Sequence, residues 1–359
     1  MKEIREILRE VAALPTGEKA VLATVVDLKG SGYRLPGARM LIKANGDATG
    51  TVSGGCLEAD VMERAKRVLE TGRAEVFTYD TTSHEDSVFS LNMGCRGVMR
   101  ILMEAVDGAN GTIGTVRKVY EDRKPVCGAV VIRSEVESLP VGQRIGCGET
   151  IAELPTIVPD LQTFSDSTSN YETVTYESAG ALIEIAFEQI SPPVQLFILG
   201  GGADAVPLAE TAYSLGWQVN VCDHRAAFLT EARFPNCDAL VSLDRDVAAE
   251  WDVDELTAFV LMNHNYDRDK AMLPGALRSS AFYVGALGPR KRTQQILSDL
   301  GDPFSDEELS RLRSPAGLDI GGDTPEAIAV SIVAEIQSVL KGRSGGPLRE
   351  RNAPIYDRK

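Results

Sequence analysis

Three stretches of the chain place reactive side chains where backbone geometry can use them. In VSGGCLEADV (52–61) one thiol, Cys56, follows Gly54 and Gly55 and precedes an amphipathic run. A thiol at a helix start feels the positive end of the backbone dipole, which favours the thiolate, the form that attacks electrophiles and binds soft metals. Cys95 repeats the arrangement in NMGCRG, between Gly94 and Arg96. Free cysteines are also often just buried apolar residues, so the residues alone leave both readings open.

The third stretch is FILGGGADA (197–205), where Gly200, Gly202 and Ala205 fit G-x-G-x-x-A. Such glycines permit a tight turn and close approach of a pyrophosphate to a helix N-terminus. Asp223 stands 23 residues after Gly200, where an acid commonly takes ribose hydroxyls. Two neighbours complicate that reading. Asp204 sets a carboxylate inside the turn, which repels a pyrophosphate, and Arg225 suits a 2′-phosphate. His264 ends a strand-like run in VLMNHNYDRD, the position from which open α/β sheets reach their ligands. GALGPRKR (285–292) brings three bases into a helix start, an anion site or a solvated face. On these residues an NAD(P)-dependent oxidoreductase is one reading, although three histidines in the whole chain offer little for proton relay.

The elements that carry these residues differ in pattern. Up to about residue 188 strand-like runs (AVLATVVDLK, RMLIKA, EVFTYD, RGVMRILMEAV, VCGAVVIRS) are interrupted by isolated helices, which predicts an α+β domain over 1–188. The stretch 153–178, rich in Thr, Ser, Pro and Glu, reads as a loose connection or weak hairpin. QISPP (189–193) is a linker, because paired prolines stop helix continuation. Beyond it VQLFILGGG, a helix, WQVNVCD, DALVSL, AFVLMNH and FYVGALG alternate regularly, which predicts a Rossmann-like, doubly wound parallel sheet over 194–340. A last helix opens with Thr324 as cap and Pro325 at its first position, and residues 341–359 read as a mobile tail.

Composition narrows the class. With 359 residues the chain is long enough for two cores. A net charge of -15 disfavours a nucleic-acid surface, whose affinity rests on neutralising phosphates. No apolar run approaches a membrane span, and the first residues lack a signal-peptide pattern, so a cytoplasmic protein is expected. The six cysteines contain no C-x-x-C pair, which points away from metal fingers and disulfide frameworks.

GSGYRLPGARMLI, GTVSGGCLEADV, FTYDTTSHEDSVFSLNMGCRG and GLDIGGDTPEAIAVSIVAEI together resemble the XdhC/CoxI family, accessory factors of xanthine dehydrogenase and related molybdenum hydroxylases. The resemblance runs from about residue 15 to about 340. It implies a maturation role: binding molybdenum cofactor, protecting it while the metal gains a terminal sulfido ligand, and passing it to the apo-hydroxylase. A cysteine desulfurase and that hydroxylase are the implied partners, and a homodimer is in keeping with the family. The family's two Gly-Cys motifs map onto Cys56 and Cys95, implying that these thiols meet the cofactor and its metal. Where this chain has Arg96 the family usually has glycine, and where it has Asp204 the family often has histidine.

Overall fold

The computed structural model describes residues 2–82, 97–108, 111–167, 169–242, 252–301 and 304–353. Two compact units divide the chain near Pro192 and Pro193.

The first unit begins with helix α1 (Lys2–Ala12), followed by strands β1 (Ala20–Gly30), β2 (Arg39–Lys43) and β3 (Ala48–Gly50). Helix α2 (Glu58–Thr71), strands β4 (Glu75–Asp80) and β5 (Gly97–Val106) and helix α3 (Gly111–Asp122) come next. These strands form one antiparallel sheet in the order β3-β2-β1-β5-β4. Residues alternate across it as a pleated strand requires. Val21, Ala23 and Val25 of β1 meet Val61, Ala65 and Val68 of α2, while Ala20 and Leu22 turn to Ile7 and Val11 of α1 and Ile113 of α3. Gly72 ends α2 at φ +66°, a left-handed cap that glycine adopts without strain.

A second antiparallel sheet follows, from β6 (Val126–Ser134), β7 (Arg144–Gly146), β8 (Tyr171–Ser178) and β9 (Ala181–Ile190), in the order β7-β6-β9-β8. Helix α4 (Ile157–Ser165) packs Ile157, Leu161 and Phe164 onto it. The expectation of a loose connection or weak hairpin over 153–178 is thus corrected in its first half, which holds α4, while β8 in its second half forms a hairpin with β9. Pro159 masked the helix in the sequence, yet it lies in the first turn, where a missing N–H costs nothing.

The two sheets meet through Val26, Leu102, Val130, Ile132 and Ala186. Arginines cross the same junction. Arg39, only 4% exposed, gives Nη2 to both Glu188 oxygens at 2.6 Å. Arg100 pairs with Asp27 at 2.7 Å and also with Glu184, and Arg144 reaches Glu104 at 2.6 Å. Burial opposes the charge on Arg39 and on Arg100, but their carboxylate partners outweigh it and hold both guanidiniums protonated.

The second unit is the doubly wound sheet that the alternation predicts. Its strands are β10 (Gln195–Leu199), β11 (Gln218–Asp223), β12 (Ala239–Ser242), β13 (Thr257–Leu261), β14 (Tyr283–Ala286) and β15 (Leu312–Arg313). All are parallel, in the order β12-β11-β10-β13-β14-β15. Relabelled from β10, this is the 3-2-1-4-5-6 order of dinucleotide-binding folds, with its switch point between β10 and β13. Helices α5 (Ala205–Ser214) and α9 (Pro325–Leu340) cover one face of the sheet; α6 (Tyr266–Arg278) and α7 (Arg290–Leu300) cover the other, and the short α8 (Asp306–Ser310) leads into β15. Thr324 caps α9 by accepting from the Ala327 N–H. The two-residue β15 carries too little pattern to be read from sequence.

Candidate functional site

Each unit holds one candidate site. In the first, β3 leads into a tight turn at Ser53, Gly54 and Gly55 before α2. Ser53 organises it. Its hydroxyl accepts from the N–H of Gly55 at 3.2 Å and of Leu57 at 3.1 Å, and donates to the Glu58 carboxylate. Glu58 also accepts from the Thr51 hydroxyl and from the Ser53 N–H at 3.0 Å. Burial opposes ionisation of Glu58, but the hydrogen bonds from Ser53 and Thr51 prevail and hold its carboxyl below the ordinary range. Orphan amides at the start of α2 are thereby satisfied from within the turn. Gly55 sits at φ +102°, a conformation side-chain-bearing residues rarely adopt.

Cys56 rides on this turn. Its thiol is exposed, with Sγ 3.7 Å from Ser53 Oγ. It opens onto a cleft lined by Leu28, Tyr33, Leu57, Tyr79 and Met99, together with Thr81 and Gly97. Tyr33 is 66% exposed, and its ring lies against Gly54, where an added Cβ would be 3.4 Å from Cγ. Tyr79 is fixed differently: its hydroxyl donates to Asp60 at 2.7 Å, while burial and that carboxylate push its ionisation up. The result is a soft thiol beside one free aromatic face and exposed glycine backbone, apt for a planar ligand with a soft end.

Cys95, with Gly94 and Arg96, lies outside the described residues. The chain flanking that stretch is secured at the same cleft. Thr81 Oγ1 donates to the Gly97 carbonyl at 2.9 Å, and the Gly97 N–H donates back to Thr81 Oγ1 at 3.0 Å. Among the described residues no cluster of three or more metal-ligating side chains exists.

In the second unit, Gly200 backs onto the strand beside it, where an added Cβ would lie 2.5 Å from the Met262 carbonyl oxygen. Ala205, the third position of the motif, is buried at the first residue of α5. Asp223 is wholly buried, and its carboxylate accepts from Gly201 N–H (2.7 Å) and Arg225 N–H (2.8 Å) and from Arg225 Nε (2.9 Å) and Nη2 (2.8 Å). Burial alone would raise its ionisation; these donors outweigh it and hold the carboxyl at about 2. Arg225 meanwhile stacks 4.0 Å above the Phe228 ring, and Arg233 donates to the Gly202 carbonyl at 3.1 Å. Both the acid expected at ribose hydroxyls and the base expected at a 2′-phosphate are therefore engaged with each other.

Across the switch point, Asp204 Oδ2 stands 3.0 Å from His264 Nε2. His264 adopts φ +54°, which aims its ring back over Gly202. Asn263, one residue earlier, donates to the buried Asp269 at 2.9 Å, and Arg292 pairs with the same carboxylate at 2.6 Å. Arg292 is thus committed to the fold; its neighbours Arg290 and Lys291 open α7.

Of the expected site residues, Gly54 and Cys56 line the first cleft, with Gly55 in the turn between them, and Gly200, Gly202, Asp223 and His264 converge at the glycine turn of the second unit, beside Ala205. Ser53, Glu58 and Tyr33 belong to the first site without being among the residues that motif and spacing point to. The acid in the first turn of α2 was a legible signal for Glu58, whereas nothing local marks Ser53 as a hub.

Sequence comparison gives this geometry a lineage. A Bacillus subtilis protein named as a probable xanthine dehydrogenase subunit is 31% identical over 92% of this chain and 96% of that protein. The chain belongs to the XdhC/CoxI family. The model described as the XdhC and CoxI family matches residues 13–80, which include the Cys56 turn, and that of the XdhC Rossmann domain matches 196–336, which include the glycine turn of the second unit. Among other XdhC/CoxI relatives, the molybdenum cofactor insertion chaperone PaoD of Escherichia coli is 29% identical over 93% of this chain and 88% of its own length. A crystal structure described as a xanthine dehydrogenase from Bacillus halodurans shares the fold at TM-score 0.71 and 24% identity, covering 98% of each chain.

Proposed function

We propose that this protein is a maturation factor for molybdenum hydroxylases of the xanthine dehydrogenase type. It binds molybdenum cofactor as cargo, supports its sulfuration and delivers it to the apo-enzyme. The observation that carries this reading is the exposed Cys56 thiol, held by Ser53 at the start of α2 and facing a cleft with a free tyrosine ring. A thiolate suits the soft, sulfur-ligated metal end of that cargo, and an aromatic face beside glycine backbone suits a flat pterin. The names of the B. subtilis and E. coli relatives support the same role. Cys95 joins Cys56 as the second thiol toward the metal, with Gly94 and Arg96 beside it. Both Thr81 and Gly97, the residues flanking that stretch, line the Cys56 cleft. A cysteine desulfurase supplies the sulfur, the work is done in the cytoplasm, and two copies of the chain assemble as a homodimer.

Protein isolated from a molybdenum-replete host is assayed for molybdenum and for the fluorescence of oxidised pterin. The native chain carries both and Cys56→Ala carries neither. Native protein that takes up neither, even when offered purified cofactor, would falsify the proposal. The oxidoreductase reading makes a different demand, that the glycine turn bind NADH or NADPH tightly and that hydride pass to a carbonyl. The carboxylate of Asp204 and the occupied Asp223 both weigh against it.

A further inference from the structure

The second sheet of the first unit carries two thiols that neither candidate site uses. Strands β6 and β7 pair antiparallel, with Gly128 opposite Gly146, Ala129 opposite Ile145 and Val130 opposite Arg144. Cys127 precedes Gly128 and Cys147 follows Gly146, so the two thiols stand at the same end of the β6–β7 ladder, Cys147 as the first residue of the turn beyond it. A disulfide needs Cα atoms roughly 4.4–6.8 Å apart, a spacing that adjoining ends of an antiparallel pair approach and that adjustment of the turn can close. Cys147 is near enough to Cys127 to raise its thiol.

The two thiols differ in the way a reactive pair must. Cys147 is exposed in the turn after β7, between Gly146 and Gly148, where Glu149 ties the turn by accepting from the Gly146 N–H at 2.9 Å. Cys127 is buried, with its thiol directed at the Leu161 carbonyl of α4 at 3.8 Å. It also lines an open cavity of about 280 Å³ that extends along β6 to Arg144 and Glu188. Burial first, and then the neighbouring sulfur, push the Cys127 thiol up to about 12, so by itself it is a poor nucleophile.

We propose that Cys147 and Cys127 form an oxidisable dithiol, a covalent modification site that takes a peroxide at Cys147 and resolves it as a Cys127–Cys147 disulfide. The Cys147 thiolate attacks one peroxide oxygen, the O–O bond breaks, and hydroxide leaves with sulfenic acid on Cys147. Cys127 sulfur then attacks the Cys147 sulfur, the S–O bond breaks, and the Cys127 proton leaves with the hydroxyl as water. In sum two thiols and one hydrogen peroxide give one disulfide and two waters. The second step is intramolecular, which compensates for the weak acidity of Cys127. A dithiol reductant reverses the bond by exchange.

The test uses the full reduced chain and stoichiometric hydrogen peroxide, followed by alkylation of the remaining thiols and digestion without reductant. The expected result is a peptide pair joined through Cys127 and Cys147, loss of two of the six thiols, and recovery of all six with dithiothreitol. Cys56→Ser retains the crosslink. Cys127→Ala leaves a sulfenic acid on Cys147 that dimedone traps. The proposal is overturned if Cys147 couples to another cysteine, or if Cys56 oxidises while Cys127 and Cys147 stay reduced in the folded native chain. That native-chain map needs no variant, so poor folding of Cys127→Ala leaves the test intact.

Discussion

Asp204 and His264 face one another 3.0 Å apart across the switch point of the parallel sheet, one after β10 and one after β13. This is the crevice in which folds of this order hold a dinucleotide. Here its mouth carries a carboxylate bound to an imidazole, so an incoming pyrophosphate meets negative charge at the turn.

Asp204→Asn tests that arrangement. Removing one charge near the turn relieves about 1 kcal/mol of repulsion, a gain in pyrophosphate or NADH affinity of roughly fivefold at low salt. Fluorescence titration of native and Asp204→Asn protein with NADH reads it directly. Equal affinities would mean that the carboxylate does not face the ligand path.

The Asp223 carboxyl, held at about 2, makes the second unit acid-sensitive in a defined window. Its folded value is depressed, so its stabilising contribution is fully present above the unfolded value near 4 and is lost as pH falls from about 4 through about 2. The loss amounts to roughly 2 kcal/mol. Urea unfolding at pH 7, 4 and 3 should show the decline for the native chain and a shallower one for Asp223→Asn.

Gly55 and Gly54 should respond differently to alanine. At φ +102° an alanine at 55 is strained by roughly 1–3 kcal/mol, and relief of that strain turns Cys56 away from the cleft. An alanine at 54 meets only ordinary contact with the Tyr33 ring. Alkylation of Cys56 by a bulky maleimide, compared between the two variants, separates them: Gly55→Ala shifts the rate and Gly54→Ala leaves it near native.

The Arg39–Glu188 pair predicts a non-additive pair of mutations. Removing one partner leaves a buried charge, a loss of roughly 3–5 kcal/mol for Arg39→Met, whereas Arg39→Met with Glu188→Leu recovers most of it. Thermal unfolding of the native chain, the two single variants and the double variant closes the cycle. Additive losses would show that the two side chains do not share their energy.

Much of this molecule was readable from residue order. The glycine turn, the acid at Asp223 and the strand–helix alternation predicted the parallel sheet because each is a local pattern. The strands of the first unit were equally plain, since half-buried strands alternate. What escaped depends on partners distant in sequence. Arg39 and Glu188 are separated by most of the first unit, and no local signal joins them. Ser53 shapes the Cys56 turn through bonds that emerge only when the backbone doubles back on it. Cys127 and Cys147 come to one end of the β6–β7 ladder through strand pairing that no local pattern announces.

Three hydrogen bonds join Thr81 to Gly97: its N–H and its hydroxyl both donate to the Gly97 carbonyl, and its Oγ1 accepts from the Gly97 N–H. They carry the β4–β5 pairing one step beyond Asp80 and Val98, to the edge of the cleft that Cys56 faces. A valine or alanine at 81 would keep the backbone bond and lose the two that pass through the hydroxyl, so a single side-chain oxygen sets how firmly that rim of the cleft is held.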